Sequence, residues 1–523
     1  MALSSIIKKN CTICNKVAVE KSRISFGTSK LITLECGHVT TEEVLIGADY
    51  NSIKSSDGRS LMQYQIAGVQ FLEQADARAI LSDEQGLGKT VQALALLKLH
   101  KEKLLPAIIV CPTTVKLQWH HEIIRWCGVN GYLTQVISSS KELAAPGFDI
   151  YITTYDLLKT EKCFEFVADK IKFVIIDECQ RIKNHLSDRA KAVQRICKNV
   201  SHILPMSGTP IKNNAGEYFT VLNLVKPTIF PQFSRFIDSY CDAYNSGYGY
   251  KVGGLKNPDR FKEITEDFIL RRTKSEVLKD LPELSRKFYH VELDKRLNKA
   301  YAEALEELDD LMYNDEIDGM EKSTNMLAIM SKMRQITGIS KVEQCIDFVT
   351  EFLISNDRKI VIFVHHHSVA NKLGIELNNW LKDGGFNTVL SMNSSLNGDD
   401  RQNLVNKFKN EDYRVMIAST LAAGEGLNLQ FCSDSIMLER QWNPANEEQA
   451  EGRFHRFGQL NPVSITYMLA SGTIDEYFTE LVEQKRAIVT STLDNKTIEW
   501  NQSSLLQELA TILTTTGKKA WKL

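Results

Sequence analysis

Short apolar runs, unbroken by polar positions, punctuate most of this chain. Ala107-Ile108-Ile109-Val110, Ile150-Tyr151-Ile152 and Phe173-Val174-Ile175-Ile176 come first. Ile360-Val361-Ile362-Phe363-Val364, Val415-Met416-Ile417-Ala418 and Ile436-Met437-Leu438 follow after an interval. A strand with one wet face alternates polar and apolar side chains, so these runs predict strands covered on both faces. Helical patterns separate them, and strand–helix alternation predicts a parallel sheet with helices on both sides. The fold class expected is α/β.

At 523 residues the chain is too long for one core. Residues 1–45 form a small cysteine-bearing segment, 55–285 a first α/β lobe and 343–480 a second. Between the lobes, residues 286–342 repeat apolar positions at helical spacing, as in Tyr301-Ala302-Glu303-Ala304-Leu305, and predict a helical connector. Residues 481–523 read as a helical extension. The formal net charge of −2 neither points to nucleic acid nor excludes it, because a basic cleft can sit inside a neutral protein. Most of the 11 cysteines stand singly in apolar runs, which suits a reducing compartment better than a disulfide framework. No apolar run approaches the roughly 18 residues of a membrane span, and the N-terminus carries no cleavage-site pattern. A soluble intracellular protein is expected.

Ser82-Asp83-Glu84-Gln85-Gly86-Leu87-Gly88-Lys89-Thr90 lies between the apolar Ala79-Ile80-Leu81 and a helical pattern beginning at Val91. Strand, glycine turn and helix start are the context a phosphate-binding loop needs. Glycines let backbone N–H groups approach oxygens, and the helix N-terminus adds a favourable dipole. In such a loop Lys89 meets the β- and γ-phosphates and Thr90 ligates magnesium. One departure is visible: the strict pattern wants glycine at 83, where this chain has Asp.

Asp177 and Glu178 end an apolar run. The first can hold magnesium and the second can orient or deprotonate an attacking water, although two acids capping the next helix would read the same way. Gln65, ahead of the loop, offers an amide that can read adenine or simply face solvent. Far downstream, Arg453 and Arg456 lie three apart in Gln449-Ala450-Glu451-Gly452-Arg453-Phe454-His455-Arg456. On a helix they would share one face and point together at a γ-phosphate. The expectation is an ATP site to which two lobes contribute.

Taken in order, these segments resemble the Swi/Snf family of DNA-stimulated ATPases, a branch of superfamily-two helicases, over about residues 60–460. Leu61-Met62-Gln63-Tyr64-Gln65 is similar to the family's adenine-reading motif. Val110-Cys111-Pro112-Thr113-Thr114 and Ile152-Thr153-Thr154-Tyr155 resemble its DNA-contacting segments. Asp177-Glu178-Cys179-Gln180 is similar to its Asp-Glu-x-His/Gln motif, and Ser207-Gly208-Thr209-Pro210 to the segment linking hydrolysis to lobe movement. Ser419-Thr420 with Gly424 and Gly426, then Gln449 to Gln459, fall in family order. Phe268-Ile269-Leu270-Arg271-Arg272-Thr273-Lys274 and Arg440-Gln441-Trp442-Asn443-Pro444 resemble two stretches that separate this branch from ordinary helicases.

The resemblance implies two RecA-like lobes and an ATP–magnesium site built from Gln65, Gly86, Gly88, Lys89, Thr90, Asp177, Glu178, Gly426, Gln449, Arg453 and Arg456. It implies double-stranded DNA as a partner, gripped without sequence specificity by Thr113, Thr114, Thr153, Thr154, Ser419, Thr420 and Trp442. Off the family template, serine and threonine at such places serve turns and helix caps equally well. The activity implied is that of a bare, monomeric DNA translocase, found with DNA in the cytoplasm, or in the nucleus of a eukaryote. A strand-separating or annealing helicase and an ATP-gated DNA-binding module are the alternatives.

Cys11-x-x-Cys14 and Cys36-x-His38 supply four soft ligands of the kind that hold structural zinc tetrahedrally. Incidental thiols are the alternative, and a small zinc module could touch DNA, a protein partner or only its own chain. His365-His366-His367 also invites a metal reading. Neighbours at the end of a strand point in alternate directions, however, and no carboxylate lies near them in sequence.

Overall fold

The computed structural model describes residues 8–10, 17–26, 29–34, 39–43, 50–208, 215–245, 250–314, 319–393, 395–396, 398–420, 428–441, 444–480, 482–483 and 508–517. The chain divides into two compact units. One comprises Met1–Ile211 with Ala215–Thr273, and the other Lys212–Asn214 with Lys274–Leu523.

The first unit begins with an antiparallel sheet of β1 (Lys8–Asn10), β2 (Val17–Phe26), β3 (Ser29–Leu34) and β4 (Val39–Glu43), paired in that order. Its main body is a seven-stranded sheet in which all pairings are parallel. The strands are β5 (Ile80–Leu81), β6 (Ala107–Cys111), β7 (Thr134–Val136), β8 (Ile150–Thr154), β9 (Phe173–Asp177) and β10 (His202–Met206). A hairpin of β11 (Cys241–Asn245) and β12 (Tyr250–Leu255) intervenes before β13 (Ile269–Leu270) closes the set. Across the sheet the order is β13-β5-β10-β9-β6-β8-β7.

The unbroken apolar runs become the strands predicted from them. β6 is buried along its whole length, and Phe173 to Ile176 of β9 are fully covered. Each such Val or Ile contributes about 1.5–3 kcal/mol on leaving water. The helix Lys89–Leu99 buries Ala93 to Leu97 without a break, so it sits under cover on every side and gives Lys89 a rigid mount. Other helix starts are set by local chemistry: Ser187 accepts a hydrogen bond from Ala190 N, and Asn257 accepts from Arg260 N with Pro258 at the first helical position.

Parallel pairing brings the C-terminal ends of the strands to one edge, where α/β proteins place their ligands. The loop after β5, the acids after β9 and Ser207 after β10 therefore emerge together. β10 lies between the other two, with Met206 opposite both Leu81 and Asp177.

The second unit carries a six-stranded sheet, again with every pairing parallel: β14 (Leu284–Val291), β15 (Ile360–Val364), β16 (Leu390–Met392), β17 (Val415–Ser419), β18 (Asp434–Met437) and β19 (Val463–Ala470). The order is β14-β19-β18-β15-β17-β16. The helices Lys295–Tyr313 and Gly319–Ser340, expected as a connector, pack into this unit. Tyr301, Leu305, Leu308, Met330 and Met333 share a core with Ile474, Phe478 and Leu509. Lys341 is buried with them, its Nζ donating to Asp475 Oδ2 at 2.5 Å and to Met468 O at 3.0 Å.

Candidate nucleotide site

Gly86 and Gly88 both adopt positive φ, 90° and 72°, which only glycine takes without strain. Gly88 caps the helix Lys89–Leu99, and a Cβ there would collide with Gln65 Nε2. The loop is thus shaped by two turns that bring backbone amides to a helix N-terminus, a donor set that fits phosphate oxygens. Lys89 Nζ donates to the loop carbonyls of Asp83 at 2.7 Å and Glu84 at 3.4 Å. Gly208 closes the cradle: a Cβ there would lie 2.6 Å from Gln85 Cγ and 3.4 Å from Lys89 Nζ. Gln65 is buried, its Oε1 accepting from Met62 N at 2.9 Å and its Nε2 donating to Leu87 O at 3.5 Å. The amide expected to read adenine therefore stands against the loop itself.

Asp83, the departure from the glycine pattern, is fully buried. Arg272 Nε and Nη2 donate to its two oxygens at 3.0 and 2.5 Å, and Gln92 Nε2 donates at 3.0 Å.

Asp177 and Glu178 are held from the side of the sheet. Trp119 Nε1, on a buried indole, donates to Asp177 Oδ2 at 2.8 Å. Burial, and then the neighbouring Glu178 charge, push the Asp177 carboxyl up from 3.8 to about 6, against the Trp119 hydrogen bond and the nearby Lys89 charge. A carboxylate so short of positive charge fits a divalent cation. Glu178 sits in the left-handed region at φ 54°, ψ 53°, strained by roughly 1–3 kcal/mol for a residue with a side chain. Tyr155 Oη bridges this turn, donating to Asp177 O at 2.6 Å and Glu178 O at 3.3 Å. From Glu178 a chain runs onward: Gln180 Nε2 donates to Glu178 Oε2 at 2.5 Å, and Ser207 Oγ donates to Gln180 Oε1 at 2.6 Å. Sequence reading singled out neither Trp119 nor Tyr155 as a support of the acids. The signal available was an aromatic side chain with a polar handle inside an otherwise apolar pattern.

Among the DNA candidates, Thr113 is exposed and Thr114 half-buried in the turn after β6. Thr153 is fully buried and Thr154 nearly so, with Thr154 Oγ1 accepting from Leu157 N at 3.3 Å. The Thr154 hydroxyl thus caps the strand end, and the Thr153 hydroxyl is buried with no hydrogen-bond partner among the described residues. Ser419 is half-buried and Thr420 buried. Gly426, Trp442, Thr209 and the quartet Cys11, Cys14, Cys36 and His38 lie outside the described residues. Among those that are described, no cluster of His, Cys, Asp or Glu is placed to hold a metal ion.

In the second unit one expectation is corrected. The helix Pro444–Glu451, which carries the half-buried Gln449, ends before Arg453 and Arg456. The two arginines lie instead on successive tight turns, with Phe454 N donating to Glu451 O, and Arg456 N to Phe454 O. Gly452 favours leaving the helix, and Phe454, fully buried against Phe363, pulls the chain inward between the arginines. Glu451 takes a bidentate bond from Arg286 (2.9 and 2.5 Å) and another from Tyr467 Oη (2.6 Å). Buried Gln459 donates to Cys432 O and accepts from Leu460 N and Asn461 N. Both arginine side chains are half-buried.

The histidine triplet has a partner that sequence distance concealed. His366 Nδ1 meets Glu439 Oε1 at 2.5 Å, while Glu439 Oε2 accepts from the backbone N–H groups of His365 and His366. Burial, with Arg334 nearby, drives His365 down to about 4.

Two family comparisons match this geometry. Residues 64–341 match the SNF2-related domain, and residues 340–458 match the helicase conserved C-terminal domain. Among curated relatives, a SWI/SNF-related matrix-associated actin-dependent regulator of chromatin subfamily A-like protein 1 of Xenopus tropicalis is 30% identical over 443 residues. The match covers 84% of this chain and 45% of that protein. The DNA annealing helicase and endonuclease ZRANB3 of Mus musculus is 28% identical over 451 residues, 83% of this chain and 41% of that protein. The chain thus spans less than half the length of these relatives. The solved Sulfolobus solfataricus SWI2/SNF2 ATPase core in complex with dsDNA is 24% identical, with a TM-score of 0.42, over 92% of this chain and 100% of that one.

Proposed function

The chain belongs to the SNF2-related family of DNA-dependent ATPases, and from that premise we propose that it couples ATP hydrolysis to movement along double-stranded DNA. The observation that carries this reading is the convergence, at the ends of β5, β10 and β9, of the glycine loop, Ser207 and the strained Asp177-Glu178 turn.

The loop amides from Gly86 to Lys89 receive the phosphates of ATP, and Lys89 exchanges its carbonyl partners for β- and γ-oxygens. Thr90 and Asp177 would hold a magnesium ion, which would supply neutralisation of the phosphate charge. Glu178 orients the attacking water, and Gln180 fixes the Glu178 carboxylate. Because Ser207 holds Gln180 in turn, a change at the γ-phosphate has a path of hydrogen bonds as far as the end of β10. Gln65 reads the base. Arg453 and Arg456 bring positive charge to the γ-phosphate as it leaves, with Gly426 and Gln449 as further nucleotide contacts. Thr113, Thr114, Ser419 and Trp442 meet the DNA backbone, which positions a protein without reading sequence. No helix among the described residues is long and apolar enough to cross a membrane.

A structural zinc at Cys11, Cys14, Cys36 and His38 is part of this proposal. In the antiparallel sheet the strand ends Asn10, Val17, Leu34 and Val39, which flank the two ligand pairs in sequence, fall on one side. One zinc per chain is expected by elemental analysis of protein purified without chelator, and its absence there would remove the assignment.

Strand annealing at branched DNA is the second reading, favoured by the name of the mouse relative. A triplex-displacement assay run beside forked-duplex unwinding and annealing assays separates the two. Duplex DNA should stimulate the ATPase, and binding should weaken steeply with salt because contacts go to phosphates. An ATPase indifferent to duplex, single strand and junction would sink both.

A further inference from the structure

Arg272 lies one residue before the chain leaves the first unit, and its guanidinium gathers three elements that are distant in sequence. Two of its nitrogens grip Asp83 of the phosphate loop, the shorter contact at 2.5 Å. A third, Nη1, donates to Tyr64 O at 2.5 Å, and the group also lies 5.7 Å from the centre of the Tyr64 ring. Nη2 additionally donates to Gln92 Oε1 at 3.0 Å, and Gln92 Nε2 returns to Asp83 and to Leu87 O. The backbone repeats the connection: Ser82 N donates to Leu270 O, and Glu84 N to Arg272 O.

Two further features make sense only with this guanidinium in place. Gly68 sits inside the helix Gln63–Gln74, where glycine costs roughly 1 kcal/mol relative to alanine. A Cβ at that position would collide with Gln92 Oε1 and lie 2.7 Å from Arg272 Nη2. Asp83 stands where the strict phosphate-loop pattern has glycine, and a fully buried carboxylate needs a partner of this kind. A gap, an acid and a base from three separate segments therefore serve one contact.

We propose that Arg272 is a positioning and specificity residue: it sets the place of the base-reading turn, Tyr64-Gln65, relative to the phosphate loop. Tyr64 is adjacent to Gln65, and Asp83 heads the loop that ends at Lys89. With the guanidinium in place, an adenine held at Gln65 and phosphates held at Lys89 are recognised as one object. Without it the loop still offers its amides and lysine to a triphosphate, but the base end loses its fixed distance. Lysine cannot substitute, because a single ammonium lacks the planar fork that reaches Asp83 and Tyr64 O together. This inference rests on the proposed roles of Gln65 and Lys89.

The test compares kcat and KM for ATP and GTP, with duplex DNA present, in the full chain and in Arg272→Lys, Gln65→Ala and the doubly neutral Asp83→Asn/Arg272→Gln. Thermal melts establish that each variant is folded; the double variant guards against collapse caused by an unpaired buried charge. For Arg272→Lys and the double variant, KM for ATP should rise about tenfold, equivalent to 1.4 kcal/mol. The kcat at saturation should stay within a few-fold, and KM for GTP should barely move, so the preference for ATP shrinks. Equal losses for both nucleotides, or a loss confined to kcat, would overturn the positioning role. If Gln65→Ala keeps the ATP preference while Arg272→Lys loses it, the base-reading role of Gln65 falls and that of Arg272 stands through Tyr64. If Gln65→Ala loses the preference while both Arg272 variants keep it, the Arg272 proposal fails alone.

Discussion

The phosphate-loop edge of the first unit and the arginine turn of the second both carry charge on short turns, one at the ends of strands and the other just past a helix. In the first unit the charged groups themselves are tied: Lys89 to the carbonyls of its loop, Asp177 to Trp119, Glu178 to Gln180. In the second unit the turn that carries the charge is itself fastened. Phe454 is buried, Glu451 is gripped by Arg286 and Tyr467, and Gln459 fastens the following turn, with Arg453 and Arg456 half-buried between them. Groups held individually are oriented before a nucleotide arrives, with Lys89 giving up its carbonyl partners to meet the phosphates. On the proposed reading, the first edge binds and positions the nucleotide and the arginine turn supplies charge to the γ-phosphate.

The largest effects should come from the first unit. Lys89→Ala should abolish both tight nucleotide binding and hydrolysis, while Glu178→Gln should lower turnover ~10³-fold or more with binding largely intact. Binding titrations and turnover measurements on both variants check this, and full turnover by Glu178→Gln would take that residue out of the mechanism. Arg453→Ala or Arg456→Ala should also cut DNA-stimulated turnover by ~10³-fold, since arginines in such roles commonly contribute that much. ATP affinity should change far less. Near-normal rates in both folded variants would erase the contrast between the two regions.

A smaller effect concerns pH. The Asp177 carboxyl, raised to about 6, keeps a proton in the native protein that the unfolded chain has already lost above about 4. Stability from this group therefore falls as pH rises from about 4 to 6, and at pH 7 its charge is a net cost. Asp177→Asn should raise the melting temperature of the nucleotide-free protein at pH 7 while removing magnesium-dependent turnover. In the unaltered chain magnesium affinity should drop as pH is lowered through about 6, readable by calorimetric titration. An unchanged melting temperature with a flat magnesium profile would mean that Asp177 carries no such penalty. The mildest change should be Arg286→Ala, which leaves the nearly buried Glu451 short of partners. A loss of about 1–3 kcal/mol in denaturant unfolding is expected, with ATP hydrolysis reduced only as far as the arginine turn loosens.

How legible all this was depends on where the information resides. Unbroken runs such as Phe173 to Ile176 announced their strands because burial on both faces leaves no polar position to blur the pattern. His202-Ile203-Leu204-Pro205-Met206 was harder to recognise, since proline lacks a ladder donor, yet it forms β10 in the middle of the sheet. Its neighbour β5 is only two residues long and pairs with it at Met206 alone, so little is lost on that side. The helix expected under Arg453 and Arg456 failed because three-residue spacing alone does not distinguish a helix from consecutive turns. Gly452 and the buried Phe454 decided the matter.

By itself, the sequence determined the strands, the glycine loop and the identities of the groups at the strand ends, because each rests on backbone preference and side-chain type within a few residues. Only the tertiary structure decided the partners: Trp119 for Asp177, Glu439 for His366, Arg286 for Glu451, and Arg272 for Asp83 across a separation of 189 residues. A buried charge must find an opposite charge or a hydrogen-bond donor wherever the packed chain brings one within about 3 Å. That distance is set by strand order and register, which no local pattern of residues encodes.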